Sequence, residues 1–275
     1  MKDIQFGRIW FKVFLRWMLF KFADGIDSRA FLKNALVFSP HQDDETLGCG
    51  GTIIEKIRSG ARVDIVFMTD GRRSHDRLIS QDELRTIRRE EACKAARHMG
   101  VADRALHFLD FKSGELNTQR DVATDSVLDI LQDSEPEEIF IPYLRDGHHE
   151  HSLTHNIVIR ALFRAQKDVV INEYPVWYWN QWPWVCPEKA CHHKRLWRIK
   201  QELISLGFLF RDFRHSTLIR DNLHLKKKAL NAYRSQVTRM LPDARWKTLG
   251  DLSKGEFLEC FFQWRMEWGL SIIGP

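Results

Sequence analysis

From residue 35 onward, short apolar runs alternate with longer amphipathic ones. Ala35–Ser39 is an apolar run closed by Pro40, the pattern of a buried strand. Thr46–Arg58 has helical spacing with Gly60 as its stop. Arg62–Thr69 is β-branched and apolar and ends at the turn pair Asp70-Gly71, which predicts a second strand. Ser80–His98 reads as a charged amphipathic helix closed by Gly100, Ala105–Leu109 as a strand and Asp121–Gln132 as a helix. Glu138–Pro142, Ser152–Ala165 and Val169–Val176 continue the alternation as strand, helix and strand. Strand and helix in strict turn predict an α/β fold: Rossmann-like, a mostly parallel sheet with helices on both faces.

Beyond Val176 the pattern changes. Residues 174–187 carry four tryptophans, at 177, 179, 182 and 184. The segment after them is basic and reads as helical around Leu196–Leu206 and Leu225–Met240, and Phe257–Ile273 forms an apolar, aromatic tail. Ahead of the alternation, residues 8–22 repeat Arg8, Lys12 and Arg16 every four positions in an otherwise apolar and aromatic helix. That run lacks a signal-peptide cleavage site and is too short and too charged to span a bilayer. The expected organisation is an N-terminal amphipathic helix over residues 1–30 and a single domain over 31–275. That domain has a core at 35–180, a basic helical elaboration at 185–247 and an aromatic tail at 248–275.

Charge sharpens this outline. The chain carries a formal net charge of +5, unevenly spread: residues 194–247 hold fourteen Lys/Arg against four Asp/Glu, a local net of +10. Such a stretch is either a solvated basic face or an attraction to an anionic membrane or substrate. No nucleic-acid-binding motif accompanies it. Residues 8–22 raise the same alternative: a helix lying in a membrane interface, or one packed on the domain with its basic stripe in water. Five cysteines, an odd number in a chain of 275 residues, suit reduced thiols and a cytoplasmic setting.

In open parallel sheets ligands bind beyond the carboxyl ends of the strands. After the first predicted strand comes His41-Gln42-Asp43-Asp44-Glu45, and after the fourth comes Asp146-Gly147-His148-His149-Glu150-His151. Both clusters combine imidazoles and carboxylates, the ligand types of hydrolytic zinc sites. Cys186, Cys191, His192 and His193 match no standard zinc spacing and read as a surface loop. Gly48, Gly50 and Gly51 lack the phosphate-loop lysine and read as close helix packing.

These motifs resemble the PIG-L/LmbE-like (GlcNAc-phosphatidylinositol de-N-acetylase) family. Its His-Pro-Asp-Asp-Glu signature appears as His41–Glu45, with Gln42 for proline, and its His-x-Asp-His signature as His148–His151, with Glu150 for aspartate. Thr69–His75, Arg88–Ala92 and Lys228–Gln236 also fit. The resemblance implies a zinc-dependent deacetylase acting on an N-acetylhexosamine carried by a nucleotide, lipid or glycan, in surface-glycan biosynthesis. It places one Zn²⁺ (or Fe²⁺) on His41, Asp44 and His151, and makes Asp43 the general base. His148 becomes oxyanion stabiliser or acid, Glu150 and Asp146 supporting groups, and Arg73 or Arg72 the substrate contact. A thiol precursor or aminoglycoside-like metabolite is the alternative substrate. A membrane-associated glycan-binding protein with an idle metal site is the alternative of another class.

Overall fold

The computed structural model describes residues 2–25, 27–185, 195–262 and 266–273. The alternating segments form β2 (Ala35–Ser39), α2 (Asp44–Arg58), β3 (Val63–Thr69), α3 (Gln81–Met99), β4 (Leu106–Phe111), α4 (Arg120–Ser134), β5 (Glu138–Pro142), α5 (His149–Ala165) and β6 (Val170–Tyr174). The ends of α3 are written in its sequence. Ser80 caps the first turn by accepting from the Glu83 amide, and Gly100, with φ 88°, closes the last. α5 begins three residues earlier than the apolar periodicity suggests, so Glu150 and His151 lie in its first turn.

The parallel strands run in the order β6-β5-β2-β3-β4. Strand order reverses between β2 and β5, and both chemically rich loops leave the sheet there. Alternation along β2 supplies both faces. Leu36 and Phe38 pack with Ala123, Val127, Ile157 and Ala161 of α4 and α5, while Ala35 and Val37 pack with Leu47, Ile53, Ala92 and Ala96 of α2 and α3.

Three strands were not anticipated. β1 (Asp24–Gly25) pairs with β7 (His215–Leu218), and β8 (Met266–Ile273), drawn from the aromatic tail, runs antiparallel between β6 and β7. The basic segment contributes α6 (Arg195–Asp212), α7 (Leu223–Ala232) and the short α8 (Arg234–Val237), and the tail also supplies α9 (Glu256–Glu259).

The N-terminal helix α1 (Lys2–Phe22) is present but turned opposite to the expectation that its basic stripe faces water or head groups. Arg8 is buried and paired with Glu256, and Leu15 and Leu19 join the core. Among the described residues, no helix is long and apolar enough to cross a membrane. Cys49, Cys93 and Cys260 are free thiols; Cys186, Cys191, His192 and His193 fall outside the described residues.

Candidate active site

The two loops meet at Asp44. Its Oδ2 lies 3.0 Å from His41 Nδ1 and 3.1 Å from His151 Nε2, with Asp44 and His151 buried. Each imidazole turns its other nitrogen to a carboxylate. His151 Nδ1 is 2.7 Å from Asp146 Oδ2, and His41 Nε2 is 2.8 Å from Glu150 Oε2. Glu150 therefore orients His41 rather than its sequence neighbour His148, and its other oxygen accepts from the Gly114 amide at 2.7 Å. Asp146 is itself fixed by the backbone amides of Val176, Trp177 and Tyr178, at 2.7, 3.0 and 2.9 Å. His148 completes a cluster in which one ligand atom from each of His41, His148 and His151 lies within 4.8 Å of the others.

Asp43 sits beside this cluster as the N-cap residue of α2, at φ 139° and ψ −25°. Arg88 from α3 reaches both the Gln42 carbonyl and, at 3.5 Å, Asp43 Oδ1. Gln42, where proline is expected, does not loosen the turn. It is buried, and its Nε2 donates to the Thr69 carbonyl at 2.6 Å, tying the loop to the end of β3.

Burial and charge separate the titrating groups. Burial raises the Asp43 carboxyl to about 7, with Arg88 pulling it down and the neighbouring Asp44 charge pushing it further up. Burial opposes charge on His41 and His151 as well. The carboxylates of Asp44 and Glu150 nevertheless raise His41 to about 9, and those of Asp44 and Asp146 raise His151 to about 10. Against the same opposition, His151 and His41 hold Asp44 far below the usual carboxylate range. His148 goes the other way, down to about 4, through burial and the adjacent imidazoles. The site is thus an acidic, buried cluster that attracts positive charge.

Residues 36–162 match the family described as PIG-L, GlcNAc-PI de-N-acetylase. Residues 36–162 belong to the PIG-L family. Diacetylchitobiose deacetylase of Thermococcus kodakarensis is 32% identical over 126 residues, 44% of this chain and 45% of that one. A probable N-acetyl-α-D-glucosaminyl L-malate deacetylase 2 of Bacillus cereus is 29% identical over 142 residues, 50% of this chain and 64% of that one. The chain spans less than two thirds of the length of these curated relatives. The fold is similar to that of N,N′-diacetylchitobiose deacetylase from Pyrococcus horikoshii, with TM-score 0.61 and 23% identity over 96% of this chain and 91% of that one.

Outside the PIG-L match, residues 226–236 brace it from α7 and α8. Tyr233 Oη donates to Glu45 Oε1 at 2.6 Å, and the Ser235 amide and hydroxyl donate to Glu91 at 2.7 and 2.6 Å. A cavity of about 410 Å³ opens over the cluster, within the usual range of small-molecule sites. Arg73 lines it; Arg72 does not, its guanidinium being drawn to Asp70 at 2.5 Å. His75 also lines it, stacked on Trp246 at 4.3 Å, whereas Asp76 stands outside.

Arg88, Gly114, Lys247 and Trp177 also line the walls. Trp177 stacks on His148 at 5.8 Å and on Phe257 at 5.1 Å. Trp179 and Trp184 are core residues, and Trp182 stacks on Phe11 of α1 at 5.3 Å. The position of Arg88 inside a charged motif was the only sequence signal for it. Lys247 offered none, and Trp177 was one of four tryptophans readable as core packing, as sugar stacking or as a membrane-interface residue.

Proposed function

We propose that the chain is a metal-dependent amidohydrolase that removes the acetyl group from an N-acetylhexosamine unit, and that His41, Asp44 and His151 hold one zinc or iron(II) ion. The observation that carries this reading is the convergence of His41 Nδ1 and His151 Nε2 on Asp44 Oδ2, at 3.0 and 3.1 Å. Donor atoms of a tetrahedral zinc site with bonds of ~2.0–2.1 Å stand about 3.3 Å apart, so little movement separates the two arrangements. His151 Nε2 is buried and makes no hydrogen bond of good geometry, and Asp146 on Nδ1 fixes the ring so that a bound cation would take the place of the Nε2 proton. The Glu150–His41 pair repeats that logic on the second imidazole.

A zinc ion held by His41, Asp44 and His151 would supply Lewis acidity, which lowers the pKa of water to about 7 and polarises a carbonyl. The protein's own groups do the rest. Asp43, with a pKa near 7, takes a proton from the attacking water. His148 stays neutral and offers an N–H to the developing oxyanion, its ring held by Trp177. As the C–N bond breaks, the proton held by Asp43 passes to the departing nitrogen, and acetate and the free amino sugar leave. Arg73 and Lys247 at the cavity wall suit hydroxyl or anionic groups of the substrate.

Residues 31–275 act in this reading as one deacetylase domain. The free thiols of Cys49, Cys93 and Cys260 support a reducing, cytoplasmic setting. Acetate release from N-acetylglucosamine, diacetylchitobiose, N-acetylglucosaminyl malate, sugar nucleotides and lipid-linked sugars, with zinc- or iron(II)-loaded protein, tests the proposal. Turnover of at least one with metal, and none after chelation, is expected. No acetate from any of them at stoichiometric metal overturns it.

A further inference from the structure

We propose that α1 is an interfacial anchor that seats the protein on a lipid bilayer through its aromatic face, independently of the reaction proposed above. Residues 7–22 divide into two arcs. Arg8, Lys12, Leu15, Arg16 and Leu19 turn towards the body: Arg8 pairs with Glu256 and donates to the Pro183 carbonyl, and Lys12 lies 3.8 Å from Glu256. Leu15 and Leu19 are 3% and 1% exposed. The opposite arc carries Ile9, Trp10, Val13, Phe14, Trp17 and Phe20, and its four aromatic residues are between 51% and 61% exposed. Thus the basic stripe, which alone would suggest attraction to anionic head groups, faces the protein's own body, with Arg8 and Lys12 on Glu256, and four aromatic residues face outward.

The choice of a bilayer as the occupant rests on the chemistry and size of this arc. With about 150–250 Å² per aromatic side chain, six half-exposed residues present on the order of 600 Å² of apolar surface. That is the upper end for the largest patch on a typical monomer. The arc has no acidic residue, and none occurs between Asp3 and Asp24. Its one charged member is Lys21, exposed in the last turn, where an ammonium can reach head groups while the aromatic rings sit beneath them. A second copy fits poorly. Two such arcs bury at best on the order of 1,200 Å², the lower limit for a stable interface, and two convex helices cannot use all of it. The arc also lacks polar positions that would fix the register of a protein partner. α1 rests on the segment that walls the cavity: Leu249 and Leu252 line it, Glu256 binds Arg8, and Phe257 stacks on Trp177. An anchored α1 therefore holds the cavity at a fixed place relative to the membrane.

The test is flotation of the full chain with phosphatidylcholine vesicles and with vesicles that also contain phosphatidylglycerol, at low and high salt. We expect the protein to float with both and to be little affected by salt, because burial of aromatic surface carries the contact. Phe14→Glu with Trp17→Glu should weaken binding at least about tenfold while leaving the unfolding temperature unchanged; if that pair misfolds, Phe20→Ser gives the same comparison at one residue. A wild-type chain that stays unbound with both vesicle types overturns the proposal. So does binding confined to anionic vesicles and abolished by salt, which would assign it to the basic surface. A dimer in solution that the same substitutions dissociate would assign the arc to a second copy.

Discussion

Asp43 occupies a backbone region that side-chain-bearing residues rarely adopt, and Arg88 and the buried Gln42 hold it there. Such a conformation costs stability and persists because neighbours over-determine it, which suits a group that must be aimed at one point. Asp43→Asn removes the proton acceptor but keeps the shape. It should retain stoichiometric metal and lose about 10²–10⁴-fold in kcat, measured by acetate release beside elemental analysis; near-normal turnover with full metal would give Asp43 another task. Asp146→Asn tests the outer carboxylate. It weakens the constraint on the His151 tautomer, so metal affinity should fall about 10–100-fold in chelator competition, and unchanged affinity would leave Asp146 as a backbone anchor alone. The residues of both clusters were legible in the sequence because each is contiguous and follows a strand. The pairings were not. Glu150 bonds His41, 109 positions away, and spacing within one loop says nothing of partners in another.

At the scale of elements, the glycines after the first motif and the last strand are one construction. α2 departs from helical geometry at Cys49, and Glu267 of β8 accepts from the amides of Gly51 and Thr52 at 2.6 and 2.7 Å, from the Thr52 hydroxyl and from Lys226 Nζ at 2.8 Å. A Cβ on Gly48 would stand 2.1 Å from Tyr174 Cδ2, and one on Gly51 2.3 Å from Ile219 Cγ2, so close packing is what these glycines provide. Glu267→Ala strands the buried Lys226 ammonium and two amides. It should cost about 3–5 kcal/mol in urea unfolding, and a loss below ~1 kcal/mol would mean that the network relaxes around the gap. The parallel strands were readable because each is a short apolar run between helices. β7 and β8 were not: residues 257–273 carry no alternation that separates a strand from an aromatic helix, and the pairing with β6 decides it.

For the whole molecule, the two arcs of α1 make opposite predictions. The inner arc could not be read from sequence, because a basic stripe on a helix suits water, lipid or an acidic partner equally, and Glu256 lies 248 positions from Arg8. Its burial makes α1 part of the folded body. Removing residues 1–22 uncovers the surface that Leu15 and Leu19 fill. At about 1.5–3 kcal/mol for each buried leucine, the loss is roughly 3–6 kcal/mol. With ~2–4 °C per kcal/mol for a chain of this size, the unfolding temperature should drop by roughly 6–24 °C in differential scanning calorimetry. Activity should fall with it, because α1 braces Glu256, the adjacent Phe257 stacks on Trp177, and Trp177 holds His148. Substitutions on the outer arc, such as Phe14→Glu with Trp17→Glu, touch none of these contacts and should leave both quantities unchanged. Truncation that costs neither stability nor turnover would make α1 an appendage. Loss on truncation, with tolerance of the outer substitutions, would assign folding to one arc and leave the other available for docking.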